Sequence, residues 1–170
     1  MGMVYNAVGI TVMPKEGEMF YLDLALDNED AAELKAPESM SAFEKVTKTS
    51  QLLKVLDGCF LIKAEIFDED EEEMRDVKWT LKDLVEFYDY DKLYPKFKKK
   101  VNALKTIDQI SCITVFTNND YDYDRKYDWV KYDFEKNEVK SGTDRAKALD
   151  NSGNNFAPAE TEMFQILAEK

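Results

Sequence analysis

Carboxylates are the reactive side chains that this sequence offers in number. The chain has 35 Asp and Glu residues, 23 Lys and Arg residues and no histidine, which gives a formal net charge of −12 at pH 7. Without histidine the chain by itself cannot form a Ser-His-Asp or Cys-His catalytic unit or a His-ligated zinc site. It also has no Walker A, Gly-x-Ser-x-Gly or Gly-x-Gly-x-x-Gly motif. Enzymatic chemistry here would depend on carboxylates and lysines.

One group of aspartates has the spacing of a calcium ligand set. Asp120, Asp122 and Asp124 match the opening of a calcium-binding loop, in which alternate residues supply oxygen ligands. The later positions disagree, because Arg125 stands where such a loop has Gly and Lys131 stands where it has Glu. We therefore predict no metal ion, and cation binding by the three aspartates stays open as an alternative.

A second spacing is that of metal-dependent nucleases. Glu138-Val139-Lys140 has their E-x-K pattern, but no Pro-Asp precedes it. A protein with a net charge of −12 also repels the nucleic acid backbone. A polar β-hairpin is the simpler interpretation, so we predict no catalytic residue and no cofactor. A carboxylate-dependent hydrolase or nuclease that uses a divalent metal remains the alternative function.

The densest group of carboxylates directly follows the most apolar stretch of the chain, residues 58–67. Residues 68–76 contain seven carboxylates and one arginine. The carboxylates are Asp68, Glu69, Asp70, Glu71, Glu72, Glu73 and Asp76. Like charges this close repel each other and cannot be buried, which predicts a surface loop or a frayed helix end. Such a segment either keeps the protein soluble or is an electrostatic docking patch for a basic protein.

A second candidate contact surface combines tyrosines with aspartates. The pattern Y-D-Y-D-basic-x-Y begins at Tyr88 and again at Tyr121, although the flanking residues differ and do not indicate a repeat. Tyrosine and tryptophan rings supply contact area at small entropic cost, as in protein-binding surfaces. The predicted partner-binding residues therefore include Tyr88, Tyr90, Tyr94, Tyr121, Tyr123, Tyr127 and Trp129. Sugar binding by these rings ranks below protein binding, since nothing in the pattern specifies how hydroxyls would be recognised.

Hydrophobic periodicity predicts the elements that position these groups. Alternating apolar residues predict strands at residues 4–13, 18–27, 58–67, 110–117 and 127–134, with a short partner around Val139. The first two strands form a hairpin with its turn at residues 14–17. The segment 110–117 is mostly apolar on both faces, which is typical of an interior strand. The segment 58–67 also reads as an interior strand, with one fully apolar face and a second face that is apolar at its start and charged from Lys63 to Glu65.

Helical spacing predicts helices at about residues 41–57, 80–89 and 91–105. A short helical turn is expected around Ala31, Ala32 and Leu34, and a terminal helix after Pro158 that docks Met163, Ile166 and Leu167. Ser41 with Glu44, and Thr80 with Asp83, have the spacing of capping boxes. The helix at 91–105 has the apolar stripe Leu93, Phe97, Val101 and Leu104, opposite a lysine cluster at 96–100.

The length and composition of the chain indicate one soluble α+β domain spanning residues 1–170. We expect a mixed or mainly antiparallel sheet of about five to six strands with three to four helices packed on it. Residues 68–76 and 143–156 are the candidate flexible segments. Cys59 and Cys112 lie in apolar strand-like runs, which favours reduced, buried thiols.

The predicted function is the binding of a basic protein without catalysis, as by an inhibitor, an immunity protein or a nucleic-acid mimic. The negative field argues against direct contact with nucleic acid or anionic membranes, and no apolar run approaches the roughly 18 residues of a membrane span. We expect a cytoplasmic protein, because no signal-peptide pattern is present. A structural or assembly subunit is a further alternative, and the oligomeric state is left open.

Overall fold

The computed structural model describes residues 6–26, 30–88, 93–121 and 124–145. Within them the chain is α+β with a predominance of sheet: eight strands form two antiparallel sheets, and three α-helices accompany them. The strands are β1 (Ala7–Pro14), β2 (Phe20–Ala25), β3 (Ala31–Leu34), β4 (Phe60–Asp68), β5 (Glu73–Trp79), β6 (Ile110–Tyr121), β7 (Asp124–Asp133) and β8 (Glu138–Arg145). The helices are α1 (Thr49–Asp57), α2 (Leu81–Tyr88) and α3 (Leu93–Ala103), and 3-10 turns occur at Met40–Phe43 and Ile107–Gln109.

The larger sheet has five strands in the order β2-β1-β6-β7-β8. The predicted first hairpin is confirmed, since β1 pairs antiparallel with β2 and Ile10 lies opposite Leu22. Its turn includes Gly17, whose φ of 101° is unfavourable for residues with a side chain. Strand β6 lies in the middle of the sheet with Ile113 and Val115 fully buried, which confirms the predicted interior strand at 110–117.

The smaller sheet has three strands in the order β3-β4-β5. Its central strand, β4, buries Phe60, Ile62 and Ala64 on one face, as the alternation of the sequence predicted. On the other face Lys63 and Glu65 are exposed to solvent. One face of this sheet therefore packs on the protein interior and the other faces water.

The presence of two sheets corrects the prediction of one sheet with five to six strands. The helical turn expected around Ala31, Ala32 and Leu34 is wrong, because these residues form β3 and pair with residues 60–63 of β4. Alanine has the highest helix propensity, but propensity is a small free-energy term that pairing with a distant strand overrides. The hydrogen-bonded ladder with β4 is thus what selects the extended conformation.

The helix predicted at 41–57 is also corrected, because it is divided into a 3-10 turn and α1. Between them the backbone C=O of Thr47 accepts a 2.9 Å hydrogen bond from the backbone N–H of Ile107. This bond holds the chain beside a segment that is distant in sequence. The expected Ser41–Glu44 capping box is replaced by a bond from the backbone N–H of Ser41 to the hydroxyl of Ser39. The side chain of Gln51 caps α1 by accepting the backbone N–H of Lys48 at 3.0 Å.

The other two predicted helices are present with slightly shorter bounds. The predicted Thr80–Asp83 capping box is confirmed, because the carboxylate of Asp83 accepts the backbone N–H of Thr80 at 3.0 Å and the hydroxyl of Thr80 accepts the backbone N–H of Asp83 at 3.4 Å. In α3 the residues Phe97 and Val101 are buried as expected, but Leu93 is 52% exposed. Tyr94 takes the buried position in its place.

The helices α1 and α3 pack with the two sheets around a common apolar core. The ring of Phe97 in α3 meets that of Phe20 at a centroid distance of 5.8 Å. Phe43, from the first 3-10 turn, packs edge-on against Tyr132 of β7 at 4.7 Å. Such edge-to-face pairs contribute roughly 0.5–1.5 kcal/mol each beyond the area that they bury.

The hairpin of β6 and β7 extends further than predicted. Asn118 to Tyr121, expected in a loop, continue β6 and pair with β7. The partner strand β8 is eight residues long and includes the start of the segment 143–156 that was predicted to be flexible. The rest of that segment and the predicted terminal helix after Pro158 lie outside the described residues. No helix among the described residues is long and apolar enough to cross a membrane.

Candidate functional site

The acidic run forms the end of the β4–β5 hairpin. Asp68 closes β4 opposite Glu73 of β5, and residues 69–72 form the connecting turn. The surface position predicted for this run is confirmed, but the expectation of a loop or helix end is wrong for residues 73–76, which belong to β5. A charged segment can adopt the extended conformation of a strand here, because β5 is an edge strand and its charged side chains remain hydrated. The flexibility of 68–76 stays a prediction.

The turn is organised by the first carboxylate of the run. One oxygen of Asp68 accepts the backbone N–H of Asp70 at 3.0 Å and that of Glu71 at 3.3 Å, as aspartate does in many turns. Glu72 has a φ of 52°, in the left-handed region that helps the chain to reverse. The second oxygen of Asp68 lies 3.5 Å from the guanidinium of Arg75 across the hairpin. Both oxygens of the Asp68 carboxylate thus stabilise the turn.

The remaining carboxylates of the run face solvent. Glu69, Asp70, Glu71, Glu72, Glu73 and Asp76 are all exposed. Because they surround a narrow turn, their negative charges are concentrated at the end of this hairpin. This end can attract a cationic surface over a distance of about one Debye length, roughly 8–10 Å at physiological ionic strength.

Two large apolar side chains lie beside these charges. Phe67 is 58% exposed and Met74 is 57% exposed, and they occupy opposed positions on β4 and β5. Neither was among the predicted site residues. The signal for Phe67 was present in the sequence, because alternation places it on the same face as the charged Lys63 and Glu65. We call residues 67–76 the acidic hairpin.

The predicted tyrosine surface is not formed as expected. Tyr94, Tyr127 and Trp129 are 8% exposed or less, so their rings offer almost no contact area. Tyr94 lies between α3 and α1, whereas Tyr127 and Trp129 share a small buried cluster with Phe116 on the five-stranded sheet. These three side chains pack in the protein, and their role in partner binding stays a prediction.

The other four predicted tyrosines give no support for a shared surface. Tyr88 ends α2 and Tyr121 ends β6, while Tyr90 and Tyr123 lie outside the described residues. The two Y-D-Y-D segments therefore begin in unlike elements, one at the end of a helix and the other at the end of a strand. This difference agrees with the sequence interpretation that they are not a repeat.

Two of the three candidate cation ligands, Asp120 and Asp124, lie on the paired strands β6 and β7. Asp120 is near the end of β6 and Asp124 begins β7, while Asp122 lies outside the described residues. Among the residues that the structure describes, no group of three or more His, Cys, Asp or Glu side chains could hold a metal ion. Glu138 and Lys140 are exposed positions of β8.

One perturbed titrating group, Glu33, lies on the surface of β3, where Lys35 and Lys63 lower its pKa. Others lie in or near the packed interior, away from the acidic hairpin. The hydroxyl of Tyr94 donates a 2.8 Å hydrogen bond to the carboxylate of Asp57, which joins α3 to α1. Burial raises the pKa of Asp57 above its ordinary value of 3.8, and the bond from Tyr94 opposes this shift. Burial also raises the pKa of the Cys59 thiol to about 12. Cys59 and Cys112 are both buried and free, as predicted.

No protein-family model, no curated protein and no solved structure is detectably similar to this chain. Function must therefore be inferred from the chemistry of its own surface.

Proposed function

We propose that this protein binds a basic protein partner through the acidic hairpin and acts by binding instead of catalysis. Inhibitors, immunity proteins and nucleic-acid mimics act in this way. The observation that carries the proposal is the position of Phe67 and Met74, an exposed apolar pair immediately beside a turn of exposed carboxylates.

The two kinds of side chain supply different parts of binding. Carboxylates at the rim of an interface steer a positively charged partner and select its orientation, but each exposed ion pair contributes only about 0.2–1 kcal/mol. Removing an aromatic or aliphatic side chain from water contributes more, roughly 25 cal/mol for each Å² of apolar surface buried. A binding surface that combines both is expected to associate quickly and to hold its partner by the apolar contact.

The chemistry of the hairpin also limits the class of partner. A net charge of −12 disfavours the phosphate backbone of nucleic acids, and the acidic turn repels a second copy of itself. A basic protein face with an apolar contact at its centre would complement both features. Lysine or arginine side chains of that face would lie opposite the exposed carboxylates from Glu69 to Glu73.

Affinity capture with charge-matched variants tests this proposal. One variant carries Glu69, Glu71, Glu72 and Glu73 as glutamine, and the control variant carries Glu16, Glu18, Glu44 and Glu135 as glutamine. All eight positions are exposed, so the two variants lose the same charge with little effect on folding. Each protein is immobilised and exposed to an extract of its host at low and at high salt, and captured proteins are identified by mass spectrometry.

The expected result is that wild type and control capture the same basic protein at low salt, and that the hairpin variant loses most of it. High salt should weaken the capture by all three proteins, because charge attraction is screened. Equal capture by the hairpin variant and the control would show that the acidic hairpin is not the binding surface.

A further inference from the structure

A groove separates β3 from the outer strands of the five-stranded sheet. Its volume is about 470 Å³, and its lining includes residues 32–34 of β3 and residues 141–143 of β8. Ligand-binding clefts commonly have volumes of about 300–1,000 Å³. The groove is far from the acidic hairpin, since β3 pairs with β4 near Leu61 and Asp68 lies about 20 Å further along that strand.

Each of these two strands contributes three consecutive residues to the lining. Side chains alternate between the two faces of a sheet, so consecutive residues can line a groove only where the edge of the strand faces it. Among the strands that the structure describes, β3 and β8 are the outermost strands of their sheets. The groove is thus bordered by main-chain edges, whose N–H and C=O groups can pair with another strand.

The hydrogen-bond pattern identifies which groups of β8 point outward. The backbone N–H of Phe134 donates to the C=O of Ser111 at 2.9 Å, which makes this a hydrogen-bonded pair of β7 with β6. Hydrogen-bonding direction alternates along a strand, so Trp129 of β7 directs its backbone groups toward β8. Gly142 is the partner of Trp129 and therefore points back toward β7. Its neighbours Ser141 and Thr143 direct their N–H and C=O groups away from the sheet.

The same reasoning applies to β3. The backbone N–H of Lys35 donates to the C=O of Cys59 at 2.6 Å, so the outward groups of β3 are those of Ala32 and Leu34. The side-chain amide of Asn119 donates to the outward C=O of Ala32 at 3.5 Å, which agrees with this assignment. Because part of the β3 edge already meets Asn119, the edge of β8 is the more available of the two. Ser141 and Thr143 are both exposed.

We propose that this groove binds an extended basic peptide, which adds as a strand to the outer edge of β8. The main chain of the peptide would pair with Ser141 and Thr143, and a basic side chain would meet Asp128 in the groove. Backbone pairing supplies affinity in this mode of recognition, and side-chain contacts supply specificity. The proposal does not depend on the function of the acidic hairpin.

Charge complementarity selects a basic peptide over an acidic one. The described lining contains the carboxylates of Glu33 and Asp128 and has no lysine or arginine. The two oxygens of Glu33 already lie 3.5 Å from Lys35 and Lys63, so Asp128 is the carboxylate that the groove offers to a peptide. Thr143 donates a 2.6 Å hydrogen bond to one oxygen of Asp128, which orients this carboxylate. Its other oxygen is 3.8 Å from Lys126, a partly exposed pair of the kind that contributes little. The negative charge of Asp128 therefore remains available to a cationic side chain.

Two substitutions at Ser141 separate a backbone contact from a side-chain contact. Ser141→Pro removes the outward N–H and leaves the β7–β8 ladder intact, since proline is tolerated where an edge N–H faces solvent. Ser141→Ala removes the hydroxyl and keeps the N–H. The probe is a peptide of alternating lysine and valine, and its affinity for the full chain is measured by calorimetry. We expect S141A to bind like wild type and S141P to bind about tenfold more weakly or worse.

The peptide offers a second measurement that does not depend on how well S141P folds. N-methylation of alternate peptide bonds removes the backbone N–H groups that would donate hydrogen bonds to β8. This modified peptide should not bind to the wild-type protein. Absence of any binding by the lysine–valine peptide would overturn the proposal, as would equal binding by its N-methylated form. Equal binding by a glutamate–valine peptide would overturn the assignment of a basic occupant. A wild-type dimer that S141P lacks would show that a second copy occupies the edge instead.

Discussion

Phe67 of β4 and Met74 of β5 lie directly opposite each other, and more than half of each side chain is exposed to solvent. A cross-strand pair of this kind contributes only about 0.2–1 kcal/mol to a sheet. On the inner face of β4, by contrast, Phe60 and Ile62 are at most 3% exposed. The pair contributes little to folding, so its apolar surface is available for another molecule.

Replacement of both Phe67 and Met74 by alanine should therefore affect binding much more than folding. We expect the free energy of unfolding to change by about 1 kcal/mol or less, because these exposed side chains leave no cavity behind. Affinity for the basic partner should fall by at least about tenfold, since the apolar contact is lost. Urea unfolding and calorimetric titration measure the two effects. Leu93→Ala, at a position 52% exposed on α3, is the matched control. A double variant that binds like wild type would refute the role of the pair.

Asp57 should make the stability of the protein depend on pH. Burial raises the pKa of Asp57 in the folded state, so the folded protein binds a proton more tightly than the unfolded chain does. This contribution to stability is present at low pH and is lost as the pH rises from about 3.8 through the raised pKa. Asp57→Asn keeps an oxygen that accepts the hydroxyl of Tyr94, but it carries no charge.

The stability of the Asp57→Asn variant relative to wild type should therefore increase with pH, and the variant should be the more stable protein at pH 7. Urea unfolding at several pH values measures this difference. Asp108→Asn serves as the control, because Asp108 is an exposed residue. A difference that stays constant over the whole pH range would be inconsistent with the shifted carboxyl group.

Cys59 should be inert toward alkylation in the folded protein. Its thiol is fully buried and donates a hydrogen bond to the C=O of Val55 at 3.4 Å. Burial raises its pKa to about 12, and only the thiolate reacts. We expect iodoacetamide at pH 8 to modify Cys59 more than about a hundredfold more slowly in native buffer than in urea. Peptide mapping by mass spectrometry distinguishes Cys59 from Cys112. Rapid native labelling of Cys59 would contradict its burial.

Gly9 should be intolerant of even a methyl group. A Cβ at this position in β1 would overlap the ring of Phe116, which is buried on the neighbouring strand. We expect Gly9→Ala to lower the free energy of unfolding by about 1–3 kcal/mol, the usual effect of overpacking. Gly58→Ala is the control, since the nearest atom to its added Cβ is the C=O oxygen of Val55 at 3.6 Å. Thermal unfolding compares the two variants, and equal melting temperatures would refute the overlap.

The parts of the fold that the sequence predicted are those set by local pattern. Strict alternation located the first hairpin and the buried face of β4, and the spacing of Thr80 and Asp83 located the start of α2. These features depend on neighbours within a few residues, so a short window of sequence contains the whole cause. The acidic run was placed on the surface for an equally local reason, the mutual repulsion of its charges.

The errors arose where the deciding partner is distant in the chain. Ala31 to Leu34 became a strand because β4, about thirty residues later, pairs with it. The predicted helix at 41–57 was divided because Thr47 bonds to Ile107. Alternation shows that Tyr127 and Trp129 share a face, but it does not show what covers that face.

The sequence by itself determined the charge, the absence of histidine chemistry and the alternation that sets Phe67 among charged neighbours. Only the tertiary structure decided that this phenylalanine lies opposite Met74 in the acidic hairpin, that three candidate contact rings are buried, and that the edges of β3 and β8 border one groove. The physical reason is that charge and side-chain direction are local properties. Exposure is different, because it depends on which distant segments pack against each face and edge.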